Sequence, residues 1–90
     1  MSAGAVIVEF FGVPRMRAGR AELAVAPGSV AAVLAEVRSH CPGLSELLTE
    51  DGRLSRHYLL SLDGEVFLPD LSRSLPSGTH LLLLSADAGG

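Results

Sequence analysis

The stretch between Pro27-Gly28 and Pro42-Gly43 constrains the fold most. Within it Val30, Val33, Leu34, Val37 and Cys41 recur at the three-and-four spacing of one apolar stripe, while Glu36 and Arg38 fall outside that stripe. Ser29 stands where a helix N-cap is expected, its hydroxyl able to accept from the first free amides. The spacing predicts a helix from Val30 to about His40, ended by Pro42-Gly43. A helix apolar along one stripe must bury it against another layer, and the flanking sequence reads as the strands of that layer.

Ala5 to Phe11 is β-branched and aromatic, with Val6, Val8 and Phe10 on one face and Ile7, Glu9 and Phe11 on the other. Gly12 to Arg20, with Pro14 and Gly19, reads as a loop. Ala21, Leu23 and Val25 then alternate with Glu22 and Ala24 as a second strand, so the chain opens on a hairpin. After the helix, Leu44 to Leu48 suggests a short extra helical turn, and Glu50-Asp51-Gly52 a polar turn. His57 to Leu62 reads as a third strand, joined through the two-residue turn Asp63-Gly64 to Glu65-Val-Phe-Leu68. Pro69 to Gly78 is turn-rich and irregular. Thr79 to Ser85 is the last strand, and its apolar character on both faces predicts a central place in the sheet. The expected architecture is α+β: a mixed sheet of four to five strands around one main helix, formed by residues 1–85, with 86–90 a flexible tail.

Length and charge narrow the functions available. A chain of 90 residues buries only about 63% of its unfolded surface, which leaves a modest core and little room for a deep catalytic cleft. Seven basic side chains against ten carboxylates give a net charge of −3, which removes the general attraction behind binding to nucleic acid or an anionic membrane. One cysteine excludes an internal disulfide framework and a thiolate-built zinc site. The longest apolar run, Val30 to Ala35, is far shorter than a membrane span, and no basic segment precedes Ala5 to Val8 as in a secretory signal. The expected compartment is the cytoplasm.

The element order, the Pro27-Gly28-Ser29-Val30 helix entry, the Asp63-Gly64 hairpin, the Leu75-Pro-Ser-Gly-Thr79 turn and the terminal Gly89-Gly90 together resemble the ubiquitin-like sulfur carriers. These are the β-grasp proteins of MoaD/ThiS type, which include the molybdopterin synthase small subunit and a cysteine-pathway carrier. The resemblance covers essentially the whole chain. Pro42 to Leu48 followed by Gly52-Arg-Leu-Ser-Arg56 is similar to the molybdopterin and cysteine types more than to the thiazole carriers. The chain departs from the family pattern in Thr79-His80 after Gly78, where members often have an acidic residue, and in Ala86-Asp-Ala88.

The resemblance implies a β-grasp fold and a protein that is not itself an enzyme. It acts as a carrier, or as a non-catalytic subunit of a synthase. Its Gly90 carboxylate would be adenylated by an activating enzyme of MoeB/ThiF type and converted to a thiocarboxylate, which donates sulfur to a biosynthetic enzyme. ATP and magnesium serve the activating partner, and the chain itself binds no cofactor or metal. A carboxylate is a poor electrophile, and joining it to AMP supplies a leaving group. Gly89 and Ala88 would thread a narrow channel in the partner, where a missing Cβ permits close backbone approach. A ubiquitin-like modifier joined through Gly90 to lysines of other proteins is the alternative, and an interaction module without tail chemistry is a third reading.

The remaining polar residues have ordinary explanations. His40, His57 and His80 share no ligand spacing, and Cys41 on the apolar stripe reads as a core residue. Arg15, Arg17 and Arg20 crowd one segment and read as a solvated loop. The sheet face away from the helix is the candidate partner interface: Ile7 and Phe11 with Leu81 and Leu83, or with Leu82 and Leu84 if the last strand has the opposite phase. All seven basic residues are arginine: compositional bias is one reading, and the other is that an activated C-terminus would meet no lysine on its own chain and only the N-terminus as an internal competitor.

Overall fold

The computed structural model describes residues 4–67 and 70–86. Its elements are β1 (Val6–Phe10), α1 (Val13–Ala18), β2 (Glu22–Val25), β3 (Gly28–Ser29), α2 (Val30–His40), a 3-10 turn (Pro42–Leu44), β4 (Tyr58–Leu62), β5 (Glu65–Phe67), β6 (Ser74–Leu75) and β7 (His80–Ser85). Five strands form one sheet in the order β2-β1-β7-β4-β5, and β3 pairs with β6 in a separate two-stranded ladder. The central pair β1/β7 is parallel and the other pairs are antiparallel, so the sheet is mixed as expected.

Alternation decides which side of each strand is covered. Val6, Val8 and Phe10 of β1, Leu23 and Val25 of β2, Leu60 of β4 and Leu81 and Leu83 of β7 are buried with Val30, Val33, Leu34 and Val37 of α2 in one core. Helix α2 occupies the predicted span, and Ser29 caps it: its Oγ accepts from the Ala32 amide at 3.1 Å. The turn between β4 and β5 has Asp63 at φ 53° and Gly64 at φ 83°, the two left-handed residues of the hairpin turn that their types favour.

Three features depart from the expected elements. Residues Val13–Ala18 form a helix where a loop is expected. Pro14 lies in the first turn, where a missing amide costs nothing, and Gly19 closes the helix in the left-handed conformation with its amide on the Arg15 carbonyl. Six residues are too few to display a helical period, so the signal reads as loop. The extra turn after α2 is centred on Pro42–Leu44 rather than Leu44–Leu48, and Leu48 instead bridges to Leu54.

The turn-rich segment before β7 has a structural task that its composition does not announce. Arg73 and Leu71 carbonyls accept from the Val30 and Ala31 amides at 2.9 and 3.0 Å, and β6 pairs with β3. Together with the Ser29 hydroxyl, these contacts satisfy three of the open amides of the α2 N-terminus. Among the described residues no buried side-chain nitrogen or oxygen lacks a partner.

Candidate docking face and tail exit

The side of the sheet opposite α2 carries the candidate interface. Cross-strand partners there run Ala24, Ile7 and His80; then Glu22, Glu9, Leu82, Ser61 and Val66; then Leu84 and Leu59. Phe11 continues the third row from the end of β1, its amide on the Leu83 carbonyl and its side chain 59% exposed. The result is an apolar surface of Ile7, Phe11, Leu59, Val66, Leu82 and Leu84. At its margin His80 Nε2 donates to Glu9 Oε1 at 2.9 Å, across the parallel pair.

This register places Ile7 and Phe11 where the sequence reading puts them and corrects the leucines. Leu81 and Leu83 stand opposite Val8 and Phe10 and are fully buried in the core, so they do not belong to the outer face. Leu82 and Leu84 do. Four consecutive leucines carry no phase of their own; the pairing of His80 with Ile7 fixes it. Leu59 and Val66 complete the surface from strands that the sequence reading did not assign to it, although the Asp63-Gly64 turn sets their register once β4 is placed.

Helix α1 extends the exposed apolar surface beyond the sheet. Val13 and Met16 are solvent-exposed, with Met16 at 81%. The helix is held firmly from below: a Cβ on Gly43 would collide with the Arg17 carbonyl, so only glycine permits this approach of the 3-10 turn. Arg17 Nη1 also donates to Glu46 Oε2 at 2.5 Å and to the Tyr58 hydroxyl at 3.2 Å. The three crowded arginines therefore divide, with Arg15 and Arg17 on α1 and Arg20 beyond its cap.

Val13, Arg17, Glu46, His57, Tyr58 and Ser85 line a cleft of roughly 210 Å³ where β7 ends. There the Ala86 amide donates to the His57 carbonyl at 2.8 Å, one step beyond the strand. Ala88, Gly89 and Gly90, the expected threading and activation residues, lie outside the described residues. Cys41 is buried in the core, and burial pushes its thiol above its ordinary pKa, as suits a packing residue. Among the described residues no cluster of three or more His, Cys, Asp or Glu side chains could hold a metal ion. None of the helices described is long and apolar enough to cross a membrane.

The mixed sheet with its central parallel pair, clasping one principal helix, recurs over the full length of small solved proteins. Small archaeal modifier protein 1 from Haloferax volcanii superposes with a TM-score of 0.80 at 24% identity, over 97% of this chain and 100% of that one. The fold is the ubiquitin-like β-grasp. Small archaeal modifier protein 1 from Methanosarcina acetivorans shares this β-grasp with a TM-score of 0.79 at 23% identity, over the whole of both chains. A chain of the Amycolatopsis orientalis BexX/CysO complex shares it with a TM-score of 0.77 at 25% identity, over 96% of this chain and 100% of that one. No protein-family model matches the sequence, and no curated protein sequence matches it significantly. The likeness lies in the three-dimensional arrangement, and it is the fold that the sequence resemblance leads one to expect.

Proposed function

We propose that this β-grasp protein is a sulfur carrier whose Gly90 carboxylate is adenylated and then converted to a thiocarboxylate. The observation that carries the reading is the continuity of the central strand β7 with a sequence ending in Gly89-Gly90, beside an apolar sheet face. An activating enzyme of MoeB/ThiF type docks on that face and receives the tail through Ala88 and Gly89. ATP and magnesium act there, the carboxylate attacks the α-phosphorus, and pyrophosphate leaves. A sulfur nucleophile then displaces AMP. The carrier delivers the sulfur to a biosynthetic enzyme and performs no catalysis alone; its setting is the cytoplasm. The likeness to a chain of the BexX/CysO complex supports this reading.

A second reading has its own support in the likeness to small archaeal modifier proteins. Here the activated Gly90 is joined to lysines of other proteins, and only the acceptor differs. Exchange of labelled pyrophosphate into ATP, measured with the activating enzyme, tests the shared step. Exchange that vanishes on deletion of Gly90 is expected, and no exchange with the intact chain overturns both readings. Intact mass then separates them: sulfur in place of one terminal oxygen marks the carrier, and Gly-Gly remnants on lysines of other proteins mark the modifier. Binding that survives deletion of Gly90, without any exchange beforehand, would leave only an interaction module.

A further inference from the structure

The sheet edge formed by β4 and β5 holds a second surface feature. A groove of roughly 330 Å³ opens there, with half-buried Leu54, Leu59 and Phe67 and exposed Val66 as its apolar walls. An apolar surface bordered by polar residues is the form that protein contact sites take. Leu59 and Val66 also belong to the outer face, so the groove carries that face round the edge of the sheet.

Two guanidiniums border the groove. Arg56 lines it, and Arg73 lies over the Phe67 ring at 5.3 Å. Both are exposed, and among the described residues neither has an ion-pair partner. By contrast, Arg17 meets Glu46, and Arg53 meets Asp51 at 3.5 Å. Asp70, three residues before Arg73, is held by the Ser72 amide and hydroxyl. Glu65, the one carboxylate on β5, lies toward the Asp63-Gly64 turn, two residues from Phe67. In a chain of net charge −3, two unpaired cations at the rim of an apolar groove select an occupant that brings its own carboxylates.

The adjoining strand is open. Among the described residues β5 has a strand neighbour, β4, on one side only. A two-residue hairpin loop is closed by a hydrogen-bonded pair, here Leu62 and Glu65. Pairs alternate along an antiparallel ladder, so the next pair, Ser61 and Val66, is not hydrogen-bonded, and Val66 turns its N–H and C=O outward. Such an edge accepts an added strand, whose backbone binds the edge while alternate side chains enter adjoining pockets.

We infer that the β4–β5 edge is a docking site for an extended, acidic and apolar segment of another protein. The backbone of that segment pairs with Val66, an aliphatic side chain fills the groove between Leu54, Leu59 and Phe67, and its carboxylates meet Arg56 and Arg73. Gly90 takes no part in this contact, which stands or falls separately from the proposed activation.

The test titrates the isotope-labelled full chain with a synthetic peptide, Asp-Glu-Val-Ile-Val-Asp-Glu with blocked ends, and follows the backbone amide shifts. Saturable shifts should centre on residues 54–56 and 65–67. Arg56→Glu and Arg73→Glu should each weaken binding about tenfold, the scale of one charge-assisted hydrogen bond. Both should leave the melting temperature nearly unchanged, because both side chains are exposed. Replacing the peptide's acids with Asn and Gln should weaken binding at least as much. Of two peptides N-methylated at alternate amides in opposite phase, one should lose binding and the other keep it, because a strand offers each edge every second amide. No saturable shift at millimolar peptide would overturn the inference. So would shifts confined to Leu82 and Leu84, equal affinity for wild type and the arginine variants, or an equal effect of the two N-methylated peptides. Shifts at residues 65–67 that grow with protein concentration in the absence of peptide would overturn it in favour of a second copy of the chain.

Discussion

At the scale of single residues, the fold depends on polar side chains that close backbone ends. The Ser29 hydroxyl supplies the Ala32 amide with its acceptor, and Ser29→Ala should lower stability by about 1 kcal/mol in denaturant unfolding. Two carboxylates act similarly in loops. Asp70 Oδ1 accepts from the Ser72 amide and hydroxyl at 3.0 and 2.7 Å, and Asp51 accepts from the Thr49 hydroxyl. These hydrogen bonds hold both carboxyls below the usual carboxylate range. A depressed folded pKa contributes stability that is complete above the unfolded value, about 3.9, and lost as pH falls through the folded one. The double variant Asp51→Asn/Asp70→Asn should therefore show a flatter stability profile below about pH 4 than wild type, read from thermal unfolding.

At the scale of elements, β7 is the deciding strand. It is central, parallel to β1 and antiparallel to β4, and its phase distributes four leucines between core and surface. Leu83→Ala should cost about 3 kcal/mol, because Leu83 is fully buried, whereas Leu82→Ala should cost about 1 kcal/mol or less. Equal losses in denaturant unfolding would contradict this register. Helix α1 illustrates the opposite case. Its six residues have no period to read, and the close approach of Gly43 to Arg17 supports it only after the 3-10 turn has formed. A short helix of this kind depends on tertiary packing rather than on propensity.

At the scale of the molecule, the two faces of one sheet meet different surroundings. The inner face holds the core against α2, and the outer face presents Ile7, Phe11, Leu59, Val66, Leu82 and Leu84. Charge placed on the outer face should spare the fold and impair docking. Phe11→Glu should leave the melting temperature nearly unchanged, since this side chain is mostly exposed, while lowering kcat/KM for adenylation tenfold or more, about 1.4 kcal/mol. Unchanged adenylation kinetics would remove this face from the reaction.

The amino-acid order alone determined the main helix, its cap, the Asp63-Gly64 turn, the covered faces of β1 and β2 and the central place of β7, because each depends on neighbours within a few residues. It also supplied the Gly89-Gly90 ending on which the proposed chemistry rests. Only tertiary structure decided which leucines of β7 face outward, how Leu59 and Val66 join Ile7 and Phe11, and how residues 71 and 73 close the start of α2. These depend on hydrogen bonds between segments distant in sequence, and a uniform leucine run or an irregular loop carries no local mark of the partner that will set its register.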